Sequence, residues 1–392
     1  MIKNSKYWFL LGREPKISAA EITAVLKLSD STSTMLSENI LTTKAEVEPK
    51  LINRLGGTIK IGIEIGTKIR REILIETIVT ELLAIDGKIN FGISDYSEKL
   101  SSHIESLVKQ IKLTLKNSGR SVRYVRTDKD GKISSATVYH NNLTTKGREF
   151  LIAKDGGGFS VAKTLAVQPF EALGRRDFGR PGRDDKSGML PPKLAMILIN
   201  LSQASTNDVI LDPFCGSGTI LTEAMLMGYQ NLIGTDISEK AISDTKQNLE
   251  WVNKISDFRF QISDLRIECC EINDLDKLLP KQSVDTIVTE PYLGKPLSGR
   301  ESQSELEIQS RELGKLYVCA FQKFANVLKK NTAIIFIIPR FLSYGKWLTI
   351  NCSTEIEKFG FKVIPLQTKE PYLLYGRPGQ RVMREIWKFR KV

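Results

Sequence analysis

The chain has 392 residues, 41% of them hydrophobic, and a formal net charge of +12. That is enough for two or three cored domains. The longest apolar run, residues 333–338, is far too short to cross a bilayer, so no membrane association is expected. Five scattered cysteines without C-x-x-C spacing, and only two histidines, point away from a structural metal and towards a reduced, cytoplasmic protein. The short apolar patch at residues 7–11 meets Arg13 and Glu14 at once, so it reads as a strand and not a signal peptide.

The charge is uneven. Residues 101–200 carry 18 Lys/Arg against 9 Asp/Glu and residues 301–392 carry 16 against 8, while residues 201–300 carry 9 against 15. Basic blocks around an acidic segment favour a polyanionic partner such as nucleic acid.

Taken in order, residues 1–57 read as a small α+β unit. A strand over 6–12 is followed by a helix through Leu28, which a capping box of Ser18 and Glu21 would open. Residues 58–165 repeat the mixture. Strands are expected at 58–65 and 89–94. The spacing of Ile104, Leu107, Val108, Ile111 and Leu115 predicts a helix over 102–115. The alternation at 121–126 puts Arg123 and Tyr124 on opposite faces, and a hairpin closes around Gly156 to Gly158. Residues 166–190 form a Gly/Arg-rich linker with little to bury, hence a surface segment. Its Arg175, Arg176, Arg180 and Arg183 can contact phosphates, or else pair with Asp177, Asp184 and Asp185. Pro191 and Pro192 then open a helix whose buried face is Leu194, Ile197, Leu198 and Leu201.

From residue 191 the pattern is a doubly wound α/β domain. Strands are expected at 208–212, 231–236, 258–262, 284–288 and 332–338, a helix capped by Ser238 runs to Asn253, and a hairpin of 360–366 with 383–390 closes the sheet. The first strand ends in Asp212 and runs through Phe214, Gly216 and Gly218 into a helix opened by Thr219. No Lys follows Gly218 and no third Gly follows, so neither a phosphate loop nor a dinucleotide fingerprint is present. Asp212 can take the ammonium of an amino-acid moiety. Asp236, followed by Ile237, comes 24 residues later, at the end of the next apolar run, and suits two ribose hydroxyls. An amino-acid end plus a ribose is S-adenosylmethionine (SAM). Asp264, followed by Leu265, suits the adenine amine; a solvated acid is the plain alternative.

After the fourth strand come Thr289, Glu290, Pro291 and Tyr292. Ligands sit at the carboxyl ends of strands in such sheets, so these residues face the methyl donor. A carboxylate placed there can accept an N–H and an aromatic ring can hold a planar group flat.

The loop D-P-F-C-G-S-G-T resembles the cofactor loop of amino-methylating methyltransferases, and T-E-P-Y their [DN]-P-P-[YF] pattern. Thr289 stands where the Asp or Asn belongs and Glu290 replaces the first proline, so Glu290 is expected to accept the N–H and Tyr292 to stack. S-V-R-Y-V-R, V-Y-H-N-N-L and G-R-E-F-L-I resemble a THUMP domain, preceded by a ferredoxin-like unit. With the R-D-F-G-R-P linker and G-M-L-P-P-K-L-A, the order is similar to the archaeal and eukaryotic tRNA guanosine-10 N2-methyltransferases. The resemblance implies a seven-stranded SAM-binding domain behind an RNA-binding region. It implies methyl transfer to a guanine N2 amine and tRNA as the partner. Arg123, Arg126 and the linker arginines are then RNA contacts. Some relatives use a small zinc-binding activator subunit, and that partner is left open. The alternatives are a ribosomal RNA guanine-N2 methylase, a DNA adenine-N6 methylase and a tRNA-binding adaptor without catalysis.

Overall fold

The computed structural model describes residues 5–29, 31–97, 104–128, 130–183, 189–256 and 265–392. Two compact units divide the chain, Met1–Ala172 and Leu173–Val392.

The first unit contains β1 (Tyr7–Leu11), α1 (Pro15–Leu26), β2 (Ser33–Ser37), β3 (Ile40–Thr43), β4 (Thr58–Ile69), α2 (Arg71–Leu83), β5 (Ile89–Asp95), α3 (Ile104–Asn117), β6 (Val122–Val125), α4 (Ser135–His140), β7 (Arg148–Asp155) and β8 (Gly158–Val167). All eight strands form one sheet, ordered β2-β3-β1-β4-β8-β7-β5-β6. The twelve-residue β4 pairs with β1 on one side and with β8 on the other. The segments 1–57 and 58–165, read separately from sequence, therefore share a sheet. The predicted helical stripe holds: Leu107, Val108, Ile111 and Leu115 of α3 pack with α2 onto Phe91, Ile93, Phe150 and Ile152.

Among the described residues of this unit, Glu21, Lys60, Asp95 and Glu149 are buried charged side chains. α1 starts at Pro15, not at the expected capping box. Glu21 instead lies inside the helix, fully buried, and its carboxylate accepts the N–H groups of Gly56 and Gly57 at 2.8 Å each. Lys60 Nζ donates to Glu149 at 2.5 Å and to the Ile133 carbonyl at 2.6 Å. Ser94 and Thr164 also donate to Glu149, so the pair is satisfied as a buried charge must be.

The second unit contains α6 (Pro192–Ser202), β9 (Val209–Asp212), α7 (Thr219–Leu226), β10 (Asn231–Asp236), α8 (Glu239–Ile255), β11 (Arg266–Cys269), α9 (Leu275–Leu278), β12 (Thr286–Thr289), α10 (Gln303–Val327), β13 (Ala333–Ser343), β14 (Lys346–Leu348), α11 (Ser353–Glu357), β15 (Phe361–Val363), β16 (Leu373–Tyr375) and β17 (Val382–Lys391), after α5 (Phe170–Phe178). Its sheet runs β11-β10-β9-β12-β13-β17-β15. The first five of these are parallel, and β17 is antiparallel to both β13 and β15. The order reverses on either side of β9, where a doubly wound sheet opens a crevice. Phe321, Phe324, Phe336, Phe361 and Phe389 dominate the core under α10.

Three expectations change here. The predicted third strand, 258–262, lies outside the described residues, and the edge strand next to β10 is Arg266–Cys269. α6 begins at a proline as expected but is buried at every residue except Lys193, not on one face alone. The linker is not merely a surface segment. Leu173, Arg180 and Gly182 are buried. Asn248 of α8 accepts the Gly182 N–H at 2.8 Å and donates to the Gly182 carbonyl at 2.9 Å.

Candidate active site

The carboxyl ends of β9, β10, β11 and β12 open into a cavity of about 860 Å³. Asp212 and Asp236, the last residues of β9 and β10, line it together with the turn after β9 and with the residues that follow β11 and β12. Gly216 has φ +52°, and a Cβ built on it meets no protein atom within 4 Å, so the backbone lies open to a ligand. The Gly216 N–H donates to Asp236 Oδ2 at 2.9 Å, and the Ser238 N–H donates to Oδ1 at 3.0 Å. Asp236 is thereby fixed at the end of β10 with lone pairs to spare for hydroxyl donors.

Asp212 is buried at the end of β9 and accepts from Thr289 Oγ1 at 2.7 Å and from the Phe214 N–H at 3.3 Å. Burial pushes its carboxyl up to about 7, against the pull of those two hydrogen bonds. A cationic ligand group beside it would restore the anion.

Of the cofactor residues predicted from sequence, Asp212, Phe214, Gly216, Thr219, Asp236 and Ile237 line the cavity. Gly218 and Leu265 are not among its lining residues, and Asp264 lies outside the described residues. Gly218 serves the turn itself, with φ +78° and its Cα against Thr245. The acid that follows the third strand is Glu271, which lines the cavity with Cys270 and Asn273. Sequence reasoning missed it because that strand was placed eight residues early. Met189 and Leu190, from the motif before α6, also reach the cavity.

Among the catalytic candidates, Glu290, Pro291 and Tyr292 line the cavity. Thr289 does not: it is wholly buried and spends its hydroxyl on Asp212. The residue that reaches the cavity at the end of β12 is therefore Glu290. Its carboxylate pairs with Arg384 of β17, which sequence reasoning also missed. Tyr292 is half exposed, and its carbonyl accepts from Tyr317 Oη at 2.8 Å.

The linker arginines divide. Arg175 is exposed. Arg176 grips buried Glu223 through two bonds of 2.7 and 3.0 Å. Arg180 is only 6% exposed and donates to Thr219 Oγ1. Arg183 donates to the Phe178 carbonyl at 2.6 Å. Arg176 and Arg180, expected as RNA contacts, thus tie the linker to α7 of its own unit, and the buried guanidinium of Arg180 cannot also meet a phosphate, while Arg183 bonds within the linker. Arg123 and Arg126 of the first unit are exposed.

The profile of the UPF0020 family, described as RMKL-like, methyltransferase domain, matches residues 180–360. The tRNA (guanine(10)-N2)-dimethyltransferase of Methanothermobacter thermautotrophicus is 40% identical over 118 residues, 30% of this chain and 32% of that protein, so the chain spans about a third of that relative's length. The probable tRNA (guanine(10)-N2)-dimethyltransferase of Methanothermococcus thermolithotrophicus is 34% identical over 148 residues, 38% of this chain and 80% of that protein. The crystal structure of TrmN from Thermus thermophilus aligns with 99% of this chain and 100% of that one, with a TM-score of 0.54 and 14% identity, a likeness of fold.

Proposed function

The chain belongs to the tRNA guanine-N2 methyltransferase family, and from that premise we propose that it transfers a methyl group from SAM to the exocyclic N2 amine of a guanosine in tRNA, at position 10. One observation carries the reading. An acid pair suited to SAM, Asp212 and Asp236, and an acceptor–aromatic pair suited to a base amine, Glu290 and Tyr292, line the same cavity.

The residues present fit the donor. Asp212 would hold its ammonium, the open backbone at Gly216 its amino-acid stem, Asp236 its ribose, and Glu271 its adenine amine. When bound, SAM supplies a methyl group on a sulfonium, already a strong electrophile, so the chain's task is positioning. Tyr292 stacks on the extruded base. Glu290 accepts an N–H of the amine and turns the lone pair towards the donor, and its carboxylate takes up the proton that the product must lose. Thr289 keeps Asp212 in place from below.

The unit Met1–Ala172 is proposed to be the ferredoxin-like and THUMP region that grips the acceptor end of tRNA. The exposed Arg123 and Arg126 on and beside β6 support this. Five free cysteines fit a reduced cytoplasmic setting.

The test is nucleoside mass spectrometry of tRNA incubated with the full chain and SAM. The expected product is N2-methylated guanosine, lost in Glu290→Ala and reduced in Tyr292→Ala. Another methylated nucleoside, or none, overturns the reading.

A further inference from the structure

Glu290 and Arg384 come from strands that are not neighbours, with β13 between them. Arg384 Nε donates to Glu290 Oε1, and both side chains line the cavity. Among the described residues neither Glu290 Oε2 nor either Nη of Arg384 has a hydrogen bond to the protein. None of the three is sealed away, although the side chains are only 14% and 18% exposed. An arginine–carboxylate pair that serves only to join strands tends to close on itself with two parallel bonds, as Arg176 and Glu223 do here. The Glu290–Arg384 pair uses one bond and leaves an acceptor and a set of donors side by side, facing the cavity.

Presented with its 6-substituent towards Arg384, guanine is the purine that this pattern complements. The Watson–Crick edge of guanine offers an acceptor at O6 beside donors at N1 and at the 2-amine. Adenine offers a donor at N6 and an acceptor at N1. We infer that the Glu290–Arg384 pair reads the Watson–Crick edge of guanine: Glu290 Oε2 takes the N–H side, and the free Nη groups of Arg384 take O6. The assignment rests on the proposed transfer to guanine N2 and adds the source of its base specificity. The ion pair also sets the spacing of the two elements. Gripping O6 and the N–H side together leaves the base one orientation, with the 2-amine towards Glu290. Arg384 is then a specificity determinant that touches the base, not a strand tie.

The test compares tRNA transcripts in which the target guanosine is kept or replaced by 2,6-diaminopurine. The analogue retains the 2-amine but carries an amine donor in place of O6 and an acceptor at N1. Methyl incorporation is measured as kcat/KM with the full chain and SAM, for wild type, Arg384→Ala, Arg384→Lys and Glu290→Gln. Wild type should prefer guanine by about a hundredfold, the scale of one well-made polar base contact. Arg384→Ala should lose about that factor on guanine while changing little on the analogue. Arg384→Lys should restore part of the preference. Glu290→Gln should slow both substrates, since both carry the 2-amine. Equal losses on the two substrates in Arg384→Ala, the signature of a structural role, overturn the assignment. If Arg384→Ala fails to fold, the wild-type comparison still decides: equal rates on guanine and analogue sink it. Absence of any methylated 2-amine with wild type overturns the underlying activity and this assignment together, an outcome distinct from methylation without preference.

Discussion

Thr289 Oγ1 donates to Asp212 Oδ1 at 2.7 Å, joining the ends of the two central parallel strands by a side-chain bond above their backbone ladder. This bond gives Thr289 a role at the position where the [DN]-P-P-[YF] pattern has Asp or Asn. An aspartate at 289 would put a second carboxylate, without solvent, against a first that burial already holds near 7. Thr289→Asp should therefore lower stability by about 3 kcal/mol or more and give no gain in methyl transfer. Thr289→Ser, which keeps the hydroxyl, should stay within about 1 kcal/mol. Thermal unfolding with a parallel methylation assay checks both.

The same carboxyl links SAM binding to pH. Free Asp212 is half protonated near pH 7, and the donor's ammonium favours the anion. Affinity for SAM should therefore be full above about pH 8 and fall below pH 7, approaching tenfold per unit as one proton must be displaced. In the absence of ligand the sign reverses for stability. A raised carboxyl makes the fold bind a proton that the unfolded chain releases, so this group's contribution is lost as pH rises from about 4 to 7. Asp212→Asn should flatten both profiles, read by calorimetric titration and by melting curves from pH 5 to 9.

Two glycines separated by one residue should fail in different ways. Gly218→Ala places a Cβ 2.8 Å from Thr245 Cγ2 and 2.9 Å from its Oγ1, at φ +78°. Thr245 cannot easily yield, because its hydroxyl donates to the Gly216 carbonyl at 2.7 Å. A stability loss of about 2–4 kcal/mol is expected. Gly216→Ala at φ +52° meets no atom, so about 1 kcal/mol is lost, but the new methyl enters the cavity and SAM affinity should drop at least about tenfold. Melting temperature and SAM titration on both variants separate the effects.

In the first unit, Lys60→Met leaves Glu149 buried without its cation and should cost about 3–5 kcal/mol. Combining it with Glu149→Leu should recover part of the loss, and only part, because Ser94, Thr164 and the Ile133 carbonyl lose their partners. Hydrogen exchange across β4, β7 and β8 would register both changes locally.

Local physics made much of this molecule readable. Apolar runs ending in Asp212 and Asp236 are strands because their side chains are buried on both faces. Gly216 and Gly218 turn the chain where φ must be positive. Pro192 opens α6 and Ser238 caps α8. Each depends on residues a few positions apart, so the sequence by itself determined the βα series apart from its third strand, the acid-and-glycine loop and the location of Glu290 and Tyr292 beyond the fourth strand.

Partners far apart in the chain were decided only by the tertiary structure. Nothing within a few residues of Glu21 announces Gly56 and Gly57, and nothing near Arg180 shows that Thr219 will accept its hydrogen bond. The continuity of one sheet across residues 57 and 58 depends on β4 meeting β8 about a hundred residues later. Arg384 reaches Glu290 only because β17 folds back beside β13. A charged side chain is satisfied by whatever the fold brings within about 3 Å of it, and its own neighbours in sequence do not carry that information.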